Sequence, residues 1–321
     1  MNNTKFVENL AGKYEPQLPF DQLVIEMNKI YHSFEAEIYD TYHSEIYDQL
    51  PSLWQEMSKI AEHYGAQALR ILNFGCGTGF EAQQLLKNIP SSLIAAVICY
   101  DPSSEMLEQC RAKITPLFPN TIFCSSEEEL ITNAPYTLFA TNSLLHHLPD
   151  VTLTISNLLP LLDPHTVWLA GHEPSLRFYK NRECVKNLEA YQQKRPWLLS
   201  NYLRLLKRRI RIKSNPYTKT AREAVHRGLF KQQPPTHVVD RLVDFHVAHS
   251  IEEINVGRGF DVSSMQQDFQ ASWKLIWQKT YSFMGPFYEG ELKGRWARSC
   301  QELAHRFPND GANFCTTWQR V

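Results

Sequence analysis

The stretch Ile71-Leu72-Asn73-Phe74-Gly75-Cys76-Gly77-Thr78-Gly79 decides the fold: an apolar run meets three glycines spaced two apart, and helical periodicity begins just beyond. Glycine reaches positive φ without strain and has no Cβ, so such a run turns tightly and lets a ligand approach its backbone. The helix behind the turn presents N–H groups that lack intrahelical partners. Working outward, short apolar runs predict strands over Leu69–Phe74, Ala95–Tyr100, Thr121–Cys124, Thr137–Thr141 and Thr166–Gly171. Helices are predicted between them, over Glu81–Asn88, Ser104–Ile114 and Val151–Leu162. That alternation is the signature of a parallel sheet with crossover helices. Phe260–Ser263 and Phe314–Arg320 are candidate closing strands, with a helix over Glu291–Arg306 between them.

Asp101 ends the second predicted strand, 22 residues beyond Gly79. A carboxylate there can accept both hydroxyls of a ribose. Glycine turn and acid together point to an adenosyl-bearing cofactor. A dinucleotide fingerprint would need glycine at position 80, where the chain has Phe80. The run is instead GxGxG, and no hydride-transfer site follows.

This run resembles motif I of the class I S-adenosylmethionine-dependent methyltransferases, and Tyr100-Asp101-Pro102-Ser103 resembles their acidic second motif. The similarity continues through Tyr136-Thr137-Leu138-Phe139-Ala140-Thr141-Asn142-Ser143-Leu144-Leu145-His146-His147-Leu148-Pro149-Asp150, in the small-molecule branch. It covers residues 69–174 well and 250–321 weakly. The resemblance implies an α/β, Rossmann-like fold with a seven-stranded, mostly parallel sheet. It implies S-adenosylmethionine as cofactor and S-adenosylhomocysteine as product. Asn73, Gly75, Cys76, Gly77, Thr78, Gly79, Asp101, Pro102, Met106, Ser125, Ser126 and Asn142 are then expected around the cofactor. Two positions depart from the pattern: Asn73 stands where an acid is usual, and Ser125-Ser126 where many relatives place Asp. Phe34-Glu35-Ala36-Glu37-Ile38-Tyr39-Asp40-Thr41-Tyr42-His43 is similar to the aromatic helix that covers the cofactor in this family. It places Tyr39 at the methionine end, the alternative being a plain amphipathic helix docked on the sheet.

A methylsulfonium is already an activated electrophile, so positioning and exclusion of water supply most of the acceleration. A base is needed only where the acceptor must lose a proton. Ligands of open α/β sheets bind at the carboxyl ends of the strands, which is where His146, His147, His172 and Glu173 stand. Histidine titrates near neutrality and can deprotonate a hydroxyl, while Glu173 can orient one or hold an amine. The structural alternative is that the histidines pack in the loop or cap the next helix. Asn142-Ser143-Leu144-Leu145 lacks the Asp/Asn-Pro-Pro-aromatic run of nucleic-base amino methyltransferases. The expected reaction is methyl transfer to a small organic metabolite, as in natural-product tailoring, with oxygen ahead of nitrogen and carbon open. Two other classes stay open: a cofactor-binding subunit without turnover, and a cofactor-retaining cyclase.

Of 321 residues, 43% are hydrophobic and 21% charged, which supports a well-formed core rather than disorder. Lys and Arg total 33 against 34 for Asp and Glu, so a globally basic nucleic-acid binder is disfavoured. Seven scattered cysteines without a CxxC pair argue against a disulfide framework or zinc ribbon, and for a reducing, cytoplasmic setting. No signal-peptide pattern opens the chain, and the apolar run Leu93 to Tyr100 is far shorter than the roughly 20 residues a bilayer needs. Residues 194–231 hold twelve Lys or Arg against Glu223, a charge of +11 that leaves -12 for the remainder. That segment reads as a solvated outer face above the pocket, a dock for an acidic carrier protein, a contact with anionic membrane, or an RNA contact. His237, His246 and His249 cluster in sequence with Asp240 and Asp244, and His246 and His249 are expected on one helical face; no metal is expected. The expected organisation is a helical lid over 1–66, the cofactor-binding core over 67–174, a basic helical insertion over 175–249 and completion of the sheet over 250–321.

Overall fold

The computed structural model describes residues 4–64, 68–194, 215–248, 250–255, 257–285 and 292–321. Helices α1 (Thr4–Tyr14), α2 (Phe20–Glu35), α3 (Tyr39–Tyr42), α4 (Ser44–Gln49) and α5 (Pro51–Tyr64) come first. The alternation follows: β1 (Leu69–Phe74), α6 (Phe80–Asn88), β2 (Ile94–Tyr100), α7 (Ser104–Ile114), β3 (Ile122–Cys124), α8 (Glu127–Asn133), β4 (Tyr136–Asn142), α9 (Val151–Leu158) and β5 (Leu162–Pro174). Then come α10 (Leu176–Lys180), α11 (Arg182–Lys194), α12 (Pro216–His226), α13 (Thr236–Val243), α14 (Ile251–Asn255) and α15 (Val262–Phe269). Strand β6 (Trp273–Tyr281), α16 (Arg295–Arg306) and β7 (Asn313–Arg320) complete the chain.

The strands form one seven-stranded sheet in the order β3-β2-β1-β4-β5-β7-β6. β1 to β5 pair in parallel, and β7 runs antiparallel to both β5 and β6. Chain order reverses between β1 and β4, so their carboxyl ends open a crevice where a ligand can enter. Side chains of a strand alternate between faces, and here both faces are buried. Ile71, Val97, Cys99, Leu138, Ala140, Val167 and Leu169 pack on one side with Trp54, Met57 and Phe80. Leu72, Ile98, Phe139, Trp168 and Ala170 pack on the other with Phe269, Trp273 and Trp318. Double-sided burial explains why these strands read as continuous apolar runs rather than alternating ones.

A third core joins the beginning of the chain to the segment after β5. Leu23, Val24, Met27 and Ile30 of α2 pack against Ala221 and Ala224 of α12 and Val238, Val239 and Leu242 of α13. The prolines that break this segment in sequence start its helices: Pro216 opens α12 behind the Asn215 cap, and Pro235 precedes α13. The apolar and basic run between Trp197 and Ile212, which carries five of the segment's twelve basic residues, lies outside the described residues.

Two expectations are corrected. Phe260–Ser263 is not a strand: Phe260 makes an isolated bridge to Ser175, and the Asp261 carboxylate caps α15 by accepting the Ser263 N–H. The closing strand is instead β6, whose sequence Trp-Lys-Leu-Ile-Trp-Gln-Lys-Thr-Tyr mixes polar and apolar residues because it lies at the sheet edge. His246 is not helical, since α13 ends at Val243: it sits in the following turn, its N–H donating to the His146 carbonyl, and His249 is outside the described residues. Helix α8 was not foreseen. Ser126 and Glu129 close it with a reciprocal capping box.

Candidate cofactor and acceptor site

The glycine turn is held by β2. Gly75 and Cys76 donate their N–H groups to the Tyr100 carbonyl at 2.8 and 2.9 Å. Gly77 N–H donates to Asp101 Oδ2 at 2.9 Å, and Ser103 N–H donates to Asp101 Oδ1 at 2.9 Å. All three glycines have positive φ, 71°, 50° and 88° in order. A Cβ at Gly75 would stand 2.6 Å from Leu144 Cδ1, and one at Gly79 would stand 2.9 Å from Cys110 Sγ. At Gly77 a Cβ would meet nothing within 4 Å. The outer glycines thus allow close packing against protein, while the middle one borders open space. Burial raises the Asp101 carboxyl above its ordinary pKa, against the lowering effect of its N–H donors.

A cavity opens over this turn. Gly75, Cys76, Gly77, Thr78, Asp101, Pro102, Met106 and Asn142 line it, with Tyr39 from α3. Asn142 is oriented by Trp54, whose indole N–H donates to Oδ1 at 3.2 Å. Gly79 caps α6 behind the lining. Asn73 is fully buried, is absent from the lining, and neither polar atom of its side chain has a partner. Ser125 and Ser126 are exposed and belong to the α8 cap, so the structure does not bring them to the cavity. The expectation for that pair came from aligning the strand end, whereas the capping box with Glu129 claims both residues locally.

Helix α3 is strapped to the turn through Asp40. Thr78 Oγ1 and Tyr47 OH donate to Asp40 Oδ1 at 2.6 and 2.7 Å, and Lys113 Nζ pairs with Oδ2 at 2.5 Å. Burial opposes ionisation here, yet these partners hold Asp40 below its ordinary pKa.

The opposite wall comes from the loop after β4. A bulge in β5 between Ala170 and Glu173 includes His172 at φ 56°, and it sets Glu173 beneath the loop. Glu173 Oε1 accepts the N–H groups of Leu144 and Leu145, both at 2.9 Å, and Oε2 lies 2.9 Å from His146 Nδ1. Fully buried, Glu173 shapes the loop and does not line the cavity. Neither His146 nor His172 lines it; the latter is hydrogen-bonded to Tyr281 OH. Burial alone would depress His146, but the Glu173 carboxylate lifts it above its ordinary pKa.

Of the four foreseen candidates, His147 alone lines the cavity. Its Nδ1 lies 2.8 Å from the Val243 carbonyl, which can only accept, so Nδ1 carries the proton and Nε2 keeps a lone pair. Burial, together with the neighbouring His146 and His32 rings, pushes His147 well below its usual pKa.

Helix α2 adds residues that sequence reasoning missed. Asn28, Lys29 and His32 line the cavity, and the His32 ring meets His147 edge-on at 4.9 Å and 81°. His32 Nδ1 lies 3.6 Å from Glu35 Oε2, while Glu35 Oε1 is 3.2 Å from His43 Nε2 and accepts from Tyr31 OH at 3.1 Å. Burial opposes the charge on Glu35, yet the two histidines bring its pKa down to about 2. The available signal was polar residues lying within the apolar periodicity of α2: His32 and Glu35 beside Ile30 and Tyr31.

Residues 71–165 match the family model for a methyltransferase domain. A malonyl-[acyl-carrier protein] O-methyltransferase of Priestia megaterium (strain DSM 319 / IMG 1521) is 33% identical over 110 residues. That match takes in 34% of this chain and 39% of the relative's length. Among solved structures, the plantazolicin methyltransferase BpumL, determined with a monoazolic desmethylPZN analog and SAH, is 12% identical over 94% of this chain and 98% of that one, with a TM-score of 0.40. A Bacillus halodurans C-125 protein described as a putative methyltransferase is 12% identical over 84% and 98%, with a TM-score of 0.43. Among the described residues, no helix is long and apolar enough to cross a membrane.

Proposed function

We propose that this chain, whose residues 71–165 form a class I S-adenosylmethionine-dependent methyltransferase domain, methylates an oxygen of a small organic acceptor. The residues present fit the cofactor: a glycine cradle with open space at Gly77, a carboxylate at Asp101, and a cavity continuous from both to His147. Gly75 to Thr78, Asp101, Pro102, Met106, Asn142 and Tyr39 would hold it. When bound, S-adenosylmethionine supplies an electrophilic methyl group.

The protein's own part is placement and proton handling. Met106, Leu144 and Leu148 give the cavity apolar walls that exclude water. His147 carries the oxygen reading, because its neutral tautomer leaves Nε2 free to take the proton of a hydroxyl acceptor. His32 lies edge-on to that ring and beside Glu35, completing the wall on the acceptor side. His146 and Glu173 are assigned to positioning the loop.

A second reading draws on the relative whose printed substrate is a carrier-bound malonyl group. A carboxylate acceptor on an acidic carrier would need no base, and the +11 segment would suit the carrier. Incubation with methyl-labelled cofactor and panels of hydroxylated metabolites and acyl-carrier thioesters separates the two. Label in an ether supports the first reading and label in an ester supports the second. Label in neither, with the cofactor intact, overturns the transferase reading.

A further inference from the structure

Glu81 lies in the first turn of α6, lines the cavity and is 3% exposed, yet its Oε1 has no hydrogen-bond partner. It differs from the other carboxylate in the lining. Asp101 already accepts a backbone N–H on each oxygen. Lys113, a cation that acts on Glu81 electrostatically, is committed to Asp40, Tyr47 and Thr78. A buried acceptor without a donor is costly, and such groups are satisfied by protein, water or ligand. Here the open side is the cavity itself.

We propose that Glu81 is the anionic contact for the ammonium group at the amino-acid end of the cofactor. The inference rests on the methyltransferase reading and deepens it by assigning one end of the ligand to one side chain. The cradle at Gly77 and the carboxylate at Asp101 serve the adenosine end. Glu81 stands two residues beyond the last glycine of the turn, and Tyr39, on the strap above, feels its charge. An ammonium is the part of the ligand that offers N–H donors and a positive charge together, which is what a buried carboxyl with one unpartnered oxygen requires.

Asp101, Cys99, Cys110, Lys113, Tyr39 and Tyr47 surround the Glu81 carboxyl, and burial among them raises its pKa well above the ordinary range. Arrival of a cation reverses that effect. Binding of the amino-acid-bearing ligand therefore expels a proton from Glu81, and binding of a ligand that ends at the thioether does not.

The test is calorimetry on the full chain with S-adenosylmethionine, S-adenosylhomocysteine and 5′-methylthioadenosine, the last lacking the amino-acid end. Glu81→Gln keeps the shape and removes the charge. It is expected to weaken the first two ligands at least tenfold and to leave 5′-methylthioadenosine within twofold. Equal losses for all three ligands, or no loss for any, would overturn the assignment. The wild-type chain gives an independent readout in two buffers of different ionisation heat. Proton release with S-adenosylmethionine but not with 5′-methylthioadenosine supports the contact, and identical heats in both buffers refute it. Failure of the wild-type chain to bind any of the three removes the cofactor reading and this one with it.

Discussion

The two halves of the cavity are built on different principles. The cofactor half is backbone: three positive-φ glycines, N–H groups tied to Tyr100 and Asp101, and a helix N-terminus, all between Ile71 and Met106. The acceptor half is side chain: His32 and Glu35 from α2, His147 from the loop after β4, and a carbonyl at the end of α13. Backbone geometry is set by a few consecutive residues, whereas the acceptor half requires segments 96 positions apart to meet, as His147 and Val243 do. The first half should therefore fail through shape and the second through chemistry.

The largest effect is expected from His147→Ala. Loss of a general base costs typically 10²–10⁴-fold in turnover, while cofactor affinity should hold, because the cradle and Asp101 are untouched. The wild-type pH profile adds a sign. Turnover needs neutral His147, and its pKa lies well below 6.5, so activity should persist through pH 6.5 and fall only in more acidic solution. An acidic limb at pH 7 or above, or undiminished turnover in the variant, would remove the assignment.

Next comes Glu35→Gln, which probes whether the acceptor half also stabilises the fold. The drop from 4.5 to about 2 corresponds to about 3 kcal/mol favouring the folded state above the ordinary carboxyl pKa. Because the folded value is depressed, this stabilisation is present above about pH 4.5 and fades as pH falls toward 2. Urea titrations of both proteins should show a gap that narrows across that interval. A gap independent of pH would mean the loss is packing rather than charge.

The glycines sharpen the contrast within the backbone half. Gly75→Ala combines left-handed strain of roughly 1–2 kcal/mol with displacement of Leu144, a wall residue 2.6 Å from the new Cβ. Gly77→Ala carries strain alone, since its Cβ would meet no protein atom. By protein stability Gly75→Ala should be the worse variant. By cofactor affinity Gly77→Ala should lose at least as much, because its methyl group points into the cradle. Reversal of that order would place the ligand elsewhere.

This asymmetry also explains what could be read in the sequence. The strand boundaries of β1 and the whole of α7 follow from apolar periodicity, and Asp101 follows from the glycine turn one strand away. Asp40 stood in a stretch already singled out for Tyr39, but nothing local shows that it straps α3 to Thr78 and Lys113. His32 and Glu35 look like ordinary polar positions of an amphipathic helix until α12 and α13 bury the opposite side of α2. Glu173 illustrates the reverse error. Its position at the end of β5 suggested chemistry, but a bulge at His172 turns it under the loop, where three donors consume it.

Ser126 provides the smallest and cleanest probe. The family pattern would put a cofactor contact there, whereas the structure gives its hydroxyl to the α8 cap, accepting from Glu129 N–H while Glu129 reaches back. These readings separate under Ser126→Ala. A lost N-cap costs about 1 kcal/mol of stability, and an exposed cap outside the lining should leave cofactor affinity unchanged within twofold. Restoring the cap with Ser126→Asp should recover the stability while adding a negative charge. If affinity instead falls in the alanine variant and the aspartate raises it, the adenine end extends past β3, and the backbone half is larger than the cavity lining shows.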